Sequence, residues 1–367
     1  ICRRLASLYS PDGERAFDCR LMESVYGAPV SVEVVSGKSD LPVARHSARS
    51  VGGHLDGCRL GFDLGASDYK LAAVKDGEAV FTTEIPWDPV SQPDPDYHYI
   101  RINEGLRTAA EHLPRVDAIG GSAAGIYIDN RVKVASLFRG IPRDRFQAQV
   151  SGMFERLGRE WGVPLVVVND GEVTALAGAM SLGCSSLLGV AMGSSEAAGF
   201  IQSEGRLTDW LNELAFAPVD LNPDAAEDEW SGDRGVGCLY FSQQAVNRLA
   251  PRAGIQFATD MGLPERLKEV QRRDEKEDPA ALSVFETIGV CLGYSLAHYH
   301  GFYGFQHVLL LGRVTSGVGG EVLLNAAETA LRAEFPELAE SISLHVPDEK
   351  SRRVGQAVAA ASLPEVR

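Results

Sequence analysis

The chain has no surplus of positive charge: 35 Lys and Arg stand against 50 Asp and Glu, a formal charge of −15. That balance opposes nonspecific attraction to nucleic acid and points to a small-molecule ligand. Cysteine is scarce, with six in 367 residues, at positions 2, 19, 58, 184, 238 and 291. None of the spacings is that of a paired metal motif, and a chain of this length needs no disulfide framework. Reduced thiols and a cytoplasmic location are the expectation. Long hydrophobic runs are missing as well: no unbroken apolar stretch reaches the ~18 residues of a membrane span. Ile1-Cys2-Arg3-Arg4 has no secretory apolar region behind it. No membrane partner is expected.

What is present organises into two parts and an extension, within the room that ~100–200 residues per domain allows. Residues 1–58 carry few periodic apolar runs and are interrupted by Pro11-Asp12-Gly13, Gly27-Ala28-Pro29 and Gly52-Gly53. They read as an appendage. Seven basic and seven acidic side chains balance there, without a clear helix-turn-helix, so a DNA-reading arm is not indicated. From Arg59 the pattern is strand, tight turn, strand: 60–64, 71–74, a hairpin at Lys75-Asp76-Gly77, then 79–85. A proline-rich loop, 86–95, leads to a helix at 100–112 and a buried strand at 116–120. Residues 143–161 read as one helix, with Phe146, Val150, Met153, Phe154 and Leu157 at helical spacing. A second meander follows at 187–192 and 197–202. The stretch 238–305 is mainly helical, and its charged run, Arg272 to Asp278, reads as a solvated helix end or loop. A strand at 307–311, a helix at 322–335, a strand at 341–346 and a helix at 352–361 complete the chain. Two meanders, each followed by helices and a further strand, predict a duplicated α/β unit.

The chemistry starts from Val166-Val167-Val168-Asn169-Asp170-Gly171-Glu172, an apolar β-branched run that ends on one carboxylate and passes into a helical pattern. Asp170 is thereby placed at the carboxyl end of a strand, where open α/β sheets put their chemistry. Gly65-Ala66-Ser67 and Gly193-Ser194-Ser195 are small-residue turns between strands. Backbone N–H groups can approach anionic oxygens at such turns, and serine hydroxyls add donors. Either turn alone reads as a plain β-turn, but two of them flanking Asp170 point to phosphoryl transfer. Asp63 precedes the first turn on an apolar strand, where a carboxylate without a role would be costly. It is expected to hold the waters of a magnesium ion beside the phosphates. Asp170 would act as general base toward a substrate hydroxyl, or cap a helix together with Asn169, and the two roles are compatible. A third turn, containing Gly312, Arg313 and Gly317, would seat the adenosine of a nucleotide at a helix N-terminus. An ordinary strand-to-helix loop has the same pattern.

From about Arg59 to the end the chain resembles the ROK proteins (repressors, open reading frames and sugar kinases) of the actin-like ATPase superfamily. The resemblance rests on Gly61-Phe62-Asp63-Leu64-Gly65-Ala66-Ser67, Asn169-Asp170-Gly171-Glu172, Gly193-Ser194-Ser195, Asn212-Glu213-Leu214, Gly237-Cys238-Leu239 and Leu310-Leu311-Gly312, in family order. It implies two ribonuclease H-like α/β domains around an ATP cleft, with a helical insertion in the second. By this reading residues 59–170, completed by a C-terminal helix at 350–367, form the first domain and 171–349 the larger second one. The resemblance also implies ATP and Mg²⁺ as cofactors, Asp170 as the base, and Asn169, Glu213, Ser136 and Tyr240 around the acceptor. ROK relatives often pair through the larger domain, which implies a homodimer.

The departures from the family pattern bear on the acceptor. Members usually carry Gly-Glu-x-Gly-His, and here the segment is Asn212-Glu213-Leu214-Ala215-Phe216. The family's zinc motif aligns to residues 231–240, where Cys238 is the one cysteine left. A structural zinc wants four ligands, so none is expected. Tyr240 stands where the family has a sugar-binding glutamate, and Ala135-Ser136-Leu137-Phe138 lacks the family's asparagine. A site missing such partners loses ~10⁴-fold or more in discrimination for an unchanged sugar, so the acceptor is expected to differ from glucose. The implied activity is ATP-dependent phosphorylation of a sugar or polyol hydroxyl. The alternative is a non-catalytic ligand sensor or transcriptional regulator on the same fold.

Overall fold

The computed structural model describes residues 2–41, 43, 52–208, 210–346 and 349–366, with backbone alone over 349–354. They form two compact units, Ile1–Ser181 with Arg206–Leu211 and Glu349–Arg367, and Leu182–Gly205 with Asn212–Asp348. The helix Asp170–Leu182 thus stays with the first unit as far as Ser181, whereas the sequence reading opened the second domain at 171. A long-range contact ties it there: Gln356 of the C-terminal helix donates a side-chain hydrogen bond to Thr174 on that helix. Residues 347 and 348, near the expected end of the second domain, lie outside the described residues.

The first unit is built on β1 (Cys58–Leu64), β2 (Asp68–Lys75), β3 (Glu78–Pro86), β4 (Ala118–Ala123), the small hairpin β5 (Ile126–Ile128) and β6 (Arg131–Val134), and β7 (Leu165–Asn169). Its main sheet has the order β3-β2-β1-β4-β7, with β1 to β3 antiparallel and β4 and β7 parallel to β1. Asp76 and Gly77 both take positive φ, 50° and 87°, the primed turn that matches the right-handed twist of a tight hairpin. All seven residues of β1 are buried, as a central strand covered on both faces requires.

The two faces are covered differently. On one, Leu60, Phe62 and Leu64 pack against Ile102 and Leu106 of the helix Pro95–Ala110 and Phe154 and Leu157 of the helix Met153–Trp161. Phe62 and Phe154 stack with centroids 5.8 Å apart. On the other face the C-terminal helix Glu349–Ala361 lies directly on backbone. Gly61 and Gly120 are register partners. A Cβ on Gly61 would stand 1.8 Å from the Ala357 carbonyl oxygen, and one on Gly120 1.6 Å from that of Ala360. Ala72, Val74, Ala357 and Ala361 close the contact. Glycine is required at both positions because the helix occupies the volume of the missing side chains.

The continuous helix expected over 143–161 is broken. A single turn, Arg143–Arg145, passes into a π turn, Phe146–Val150, and the regular helix starts at Met153. Ser151 interrupts it because its carbonyl accepts a hydrogen bond of 3.0 Å from the N–H of Val132 on β6. Among the described residues the appendage contains two α-helices, Cys2–Leu8 and Ala16–Tyr26, the second burying Asp18, Cys19 and Val25, and a 3₁₀ turn, Lys38–Asp40.

The second unit contains β8 (Leu187–Met192), β9 (Glu196–Ile201), β10 (His307–Leu311) and β11 (Ser343–His345), in the order β11-β10-β8-β9. β9 is antiparallel to β8, and β10 and β11 are parallel to it. The series β9-β8-β10-β11 repeats β2-β1-β4-β7, and among the described residues β3 has no counterpart. A short helix, Pro336–Ser341, occupies the start of the strand expected at 341–346. The 25-residue helix Pro279–Tyr303 is long and apolar enough to cross a membrane by length and composition, with a mean hydropathy of 1.5 over its best window. The absence of an unbroken apolar run did not reveal this. Phe285, Ile288, Leu292, Leu296 and Tyr299 of that helix are buried within the unit. The charged run at 272–278 is also not wholly solvated. Arg272 and Arg273 pair with Glu269 near the surface, but Asp274, ending the helix Leu263–Asp274, is 1% exposed.

Candidate active site

Strand alternation puts Gly61 and Asp63 on one face of β1, and register carries that face across the sheet. One row contains Ala72, Gly61 and Gly120, where the C-terminal helix sits. The next row toward the carboxyl end of β1 contains Lys70, Asp63 and Ser122. A polar row therefore begins where the helix contact stops. Asp63 is 6% exposed; its Oδ1 accepts a hydrogen bond of 2.6 Å from Ser122 Oγ, and its Oδ2 lies 3.6 Å from Lys70 Nζ. Burial raises the Asp63 pKa, and outweighs the lowering by Ser122 and Lys70. Ser122 and Lys70 escaped the sequence reading. The signal that could have found them is register: both stand opposite Asp63 on neighbouring strands.

Asp170 opens the helix Asp170–Leu182 at the end of β7. The row of Asp63 and Ser122 reaches β7 at Val168, two residues before Asp170, so Asp63 and Asp170 stand at the same end of the sheet. The Gly171 N–H donates both to Asn169 Oδ1, at 2.7 Å, and to Asp170 Oδ1, at 3.1 Å. Asn169 Nδ2 donates to the Gly125 carbonyl at 2.7 Å. Asn169 is thereby committed to fixing the helix start and the loop before β5. The Asp170 carboxyl is pushed up to about 6, chiefly by burial and then by the Asp63 charge, against the lowering of the Gly171 hydrogen bond. A half-buried residue by area, it nevertheless holds its carboxyl deep among protein atoms. Tyr127 of β5, donating to the Ala124 carbonyl, is also raised, by burial and by the Asp170 charge.

The first turn is largely bonded to itself. The Gly65 N–H donates to the Asp68 carbonyl at 3.0 Å, Ser67 Oγ to Asp68 Oδ2 at 2.9 Å, and Trp87 Nε1 to the Gly65 carbonyl at 2.8 Å. Among the described residues no three His, Cys, Asp or Glu side chains converge as metal ligands. A hard cation at Asp63 and Asp170 would be held by one or two carboxylates and by water, the mode of Mg²⁺ rather than of Zn²⁺ or Ca²⁺. The donor set fits a hydrated magnesium.

In the second unit the turn at 193–195 and the Gly312 turn adjoin. Gly312, at φ 99°, lies so close to the end of β8 that a Cβ there would be 2.3 Å from the Met192 carbonyl oxygen. Ser194 and Ser195 are exposed, as are Arg313 and Gly317. The Gly193 carbonyl accepts from the N–H of Gln243, at the start of the helix Gln243–Arg252. Gly317 opens the helix Gly317–Glu334, whose Gly319 N–H donates to the inward-turned Asp274. Burial raises the Asp274 carboxyl to about 6. Glu196, the residue after Ser195, was also missed by sequence reasoning. It is 5% exposed, and among the described residues neither carboxyl oxygen has a hydrogen-bond partner. Burial pushes it up to about 8, so it is mostly protonated at neutral pH.

The acceptor candidates do not share one setting. Ser136 is exposed at the start of a short turn in the first unit. Glu213 is half-buried in the second. Tyr240 donates its hydroxyl to Asp220 and lies under the Arg248 guanidinium, 4.6 Å from ring centroid to Cζ, beside a cavity of about 220 Å³. Cys238 is 4% exposed, and its thiol is pushed up to about 12 by burial and Asp228. Asp228 ties the loop that aligns with the zinc motif, accepting from the Ser231 N–H at 2.8 Å and from Ser231 Oγ at 2.9 Å.

Solved structures share this fold. A ROK hexokinase from Thermus thermophilus is similar with a TM-score of 0.64 at 19% identity, over 83% of this chain and 97% of that one. A ROK family glucokinase from Streptomyces griseus, solved with glucose and AMPPNP, gives 0.62 at 19%, over 83% and 98%. A ROK family transcriptional regulator, a homolog of the E. coli MLC protein, gives 0.64 at 18%, over 84% and 79%. No family model and no curated protein matches the chain. The chain thus has the α/β fold of these ROK kinases and of the ROK regulator.

Proposed function

We propose that the chain is a ROK-type kinase that transfers the terminal phosphate of ATP to a hydroxyl of a sugar or sugar-like polyol. The observation that carries this reading is the Asp170 carboxyl: it ends a parallel strand, shares that sheet end with the buried Asp63, and has its pKa raised to about 6. A base in that range is ionised at neutral pH and still basic enough to take a proton from an alcohol as it attacks. Asn169 holds the strand-to-helix junction and so fixes where that carboxylate stands. When bound, Mg²⁺ neutralises phosphate charge. Asp63 would hold it through water, with Ser122 fixing the carboxylate. In the second unit, Ser194, Ser195 and the turn at Gly312, Arg313 and Gly317 are the candidates for phosphate and adenosine contacts. Glu213, Ser136 and Tyr240 are the candidates for the acceptor. The similar hexokinase and glucokinase support the reaction class, and the family's missing sugar contacts support an acceptor other than glucose.

Single-turnover assays across a panel of sugars and polyols test the reading. Transfer of labelled phosphate in the parent and its loss in Asp170→Asn are expected. An absence of transfer to every acceptor rejects it, as does an Asp170→Asn variant as active as the parent. One observation favours the sensor reading instead: Tyr240 is engaged with Asp220 and Arg248 inside its own unit. Calorimetry showing sugar binding without nucleotide binding would establish that alternative.

A further inference from the structure

The turn after β1 has fewer donors for an anion than its sequence suggests. The Gly65 N–H and the Ser67 hydroxyl are both spent on Asp68. A triphosphate brought to Asp63 and Asp68 would meet two carboxylates, and a like-charge approach of that kind is costly unless a cation is built in. Lys70 is that cation. It faces Asp63 across the β1–β2 pair, and its Nζ stands 3.6 Å from Asp63 Oδ2 and 3.5 Å from Asp68 Oδ1. Charge-assisted hydrogen bonds between ammonium and carboxylate close to ~2.7–2.9 Å, so the ammonium is attracted to both acids and clenched by neither. The side chain is 25% exposed, on the same sheet face as Asp63 and Ser122, one row past the C-terminal helix.

We propose that Lys70 is the residue that binds the terminal phosphate of the nucleoside triphosphate, moving its ammonium from between Asp63 and Asp68 onto the phosphate oxygens. This assignment rests on the kinase reading. Lys70 has the reach to do so from a rigid strand, and three donors of which the two acids need only part. Fixed positive charge aimed at a transferring phosphoryl group is the main protein contribution to such reactions. A lysine that merely offset the burial of Asp63 would not distinguish a triphosphate from a diphosphate. A phosphate-binding lysine does.

Calorimetry with MgAMPPNP and MgADP separates the two roles. Lys70→Gln is expected to lose about 10- to 100-fold in affinity for MgAMPPNP, the scale of one charge-assisted contact, while MgADP affinity changes less than about threefold. Lys70→Arg should restore most of the loss. In the parent, acetylation of Lys70 followed by mass spectrometry should fall in MgAMPPNP and persist in MgADP, a readout that does not depend on how well a variant folds. If the parent binds both nucleotides and Lys70 is labelled equally in each, or if Lys70→Gln keeps the parent's preference, the assignment is overturned while the kinase reading stands. A parent that binds neither nucleotide overturns the kinase reading itself.

Discussion

Replacing Glu196 by Gln tests whether the buried acid behind the second turn is held neutral by the fold. In the native chain its carboxyl sits at about 8, against an ordinary 4.5, because burial disfavours the charged form and no partner among the described residues compensates. The native state therefore keeps a proton that the unfolded chain gives up above about pH 4.5. The corresponding stability is complete below that pH, falls as pH rises, and is gone above about 8. The slope in that window is ~1.4 kcal/mol per pH unit, which amounts to roughly 3–4 kcal/mol between pH 5 and 8. Glutamine has the same shape and no proton to lose. Asp170 and Asp274, also raised, titrate in both proteins and cancel in the comparison. The assay is hydrogen exchange by mass spectrometry on peptides spanning β9, taken as the ratio of parent to Glu196→Gln at each pH. Protection in the parent should drop ~100-fold or more relative to the variant from pH 5 to 8. A ratio that stays flat with pH refutes the reasoning, since it would mean the carboxyl is ionised in the fold or never buried.

Asp170→Asn should lower kcat by ~10²–10⁴-fold with nucleotide affinity kept, and in the parent kcat/KM should fall as pH drops through about 6, where the base takes up a proton; a profile flat to pH 5 would count against it. Gly120→Ala places a Cβ 1.6 Å from the Ala360 carbonyl and should cost ~1–3 kcal/mol or more by displacing the C-terminal helix, read as a lowered melting temperature of the first unit. Tyr240→Phe removes one hydrogen bond to a charged acceptor, worth ~1.5–3 kcal/mol, and urea titration should show the second unit weakened. Iodoacetamide at pH 8 should alkylate the exposed Cys2 well before Cys238, whose thiol is buried and pushed up to about 12; equal rates would contradict that burial.

Much of the architecture could be read from apolar periodicity. The first hairpin, the strand at 307–311 and the strand-to-helix junction at Asp170 fall where alternation and turn residues put them, because each depends on neighbours in sequence. The breaks came from long-range contacts. Ser151 ends a π turn because a strand 19 residues earlier claims its carbonyl, and no local pattern encodes that. Asp274 looks like one more charge in a solvated run, yet it caps a helix that begins 43 residues later. Asp63 was singled out as a carboxylate on an apolar strand. Its partners Ser122 and Lys70 were not, since only strand pairing reveals who stands opposite whom. Glu196 follows a small-residue turn, and no local pattern shows that its side chain is buried rather than exposed like those of Ser194 and Ser195.

The seat made by Gly61 and Gly120 sets an order on the making of this protein. Roughly 240 residues separate Gly120 from Ala360, and at ~5–20 residues per second the ribosome needs tens of seconds to supply the piece that closes the first sheet. Throughout that interval the glycine row on one side of β1 and β4, beside the polar row of Asp63 and Ser122, offers bare backbone to whatever else is near. A stop codon at position 348 should therefore yield a chain whose amino-terminal half is the defective part, although every residue lost lies at the opposite terminus.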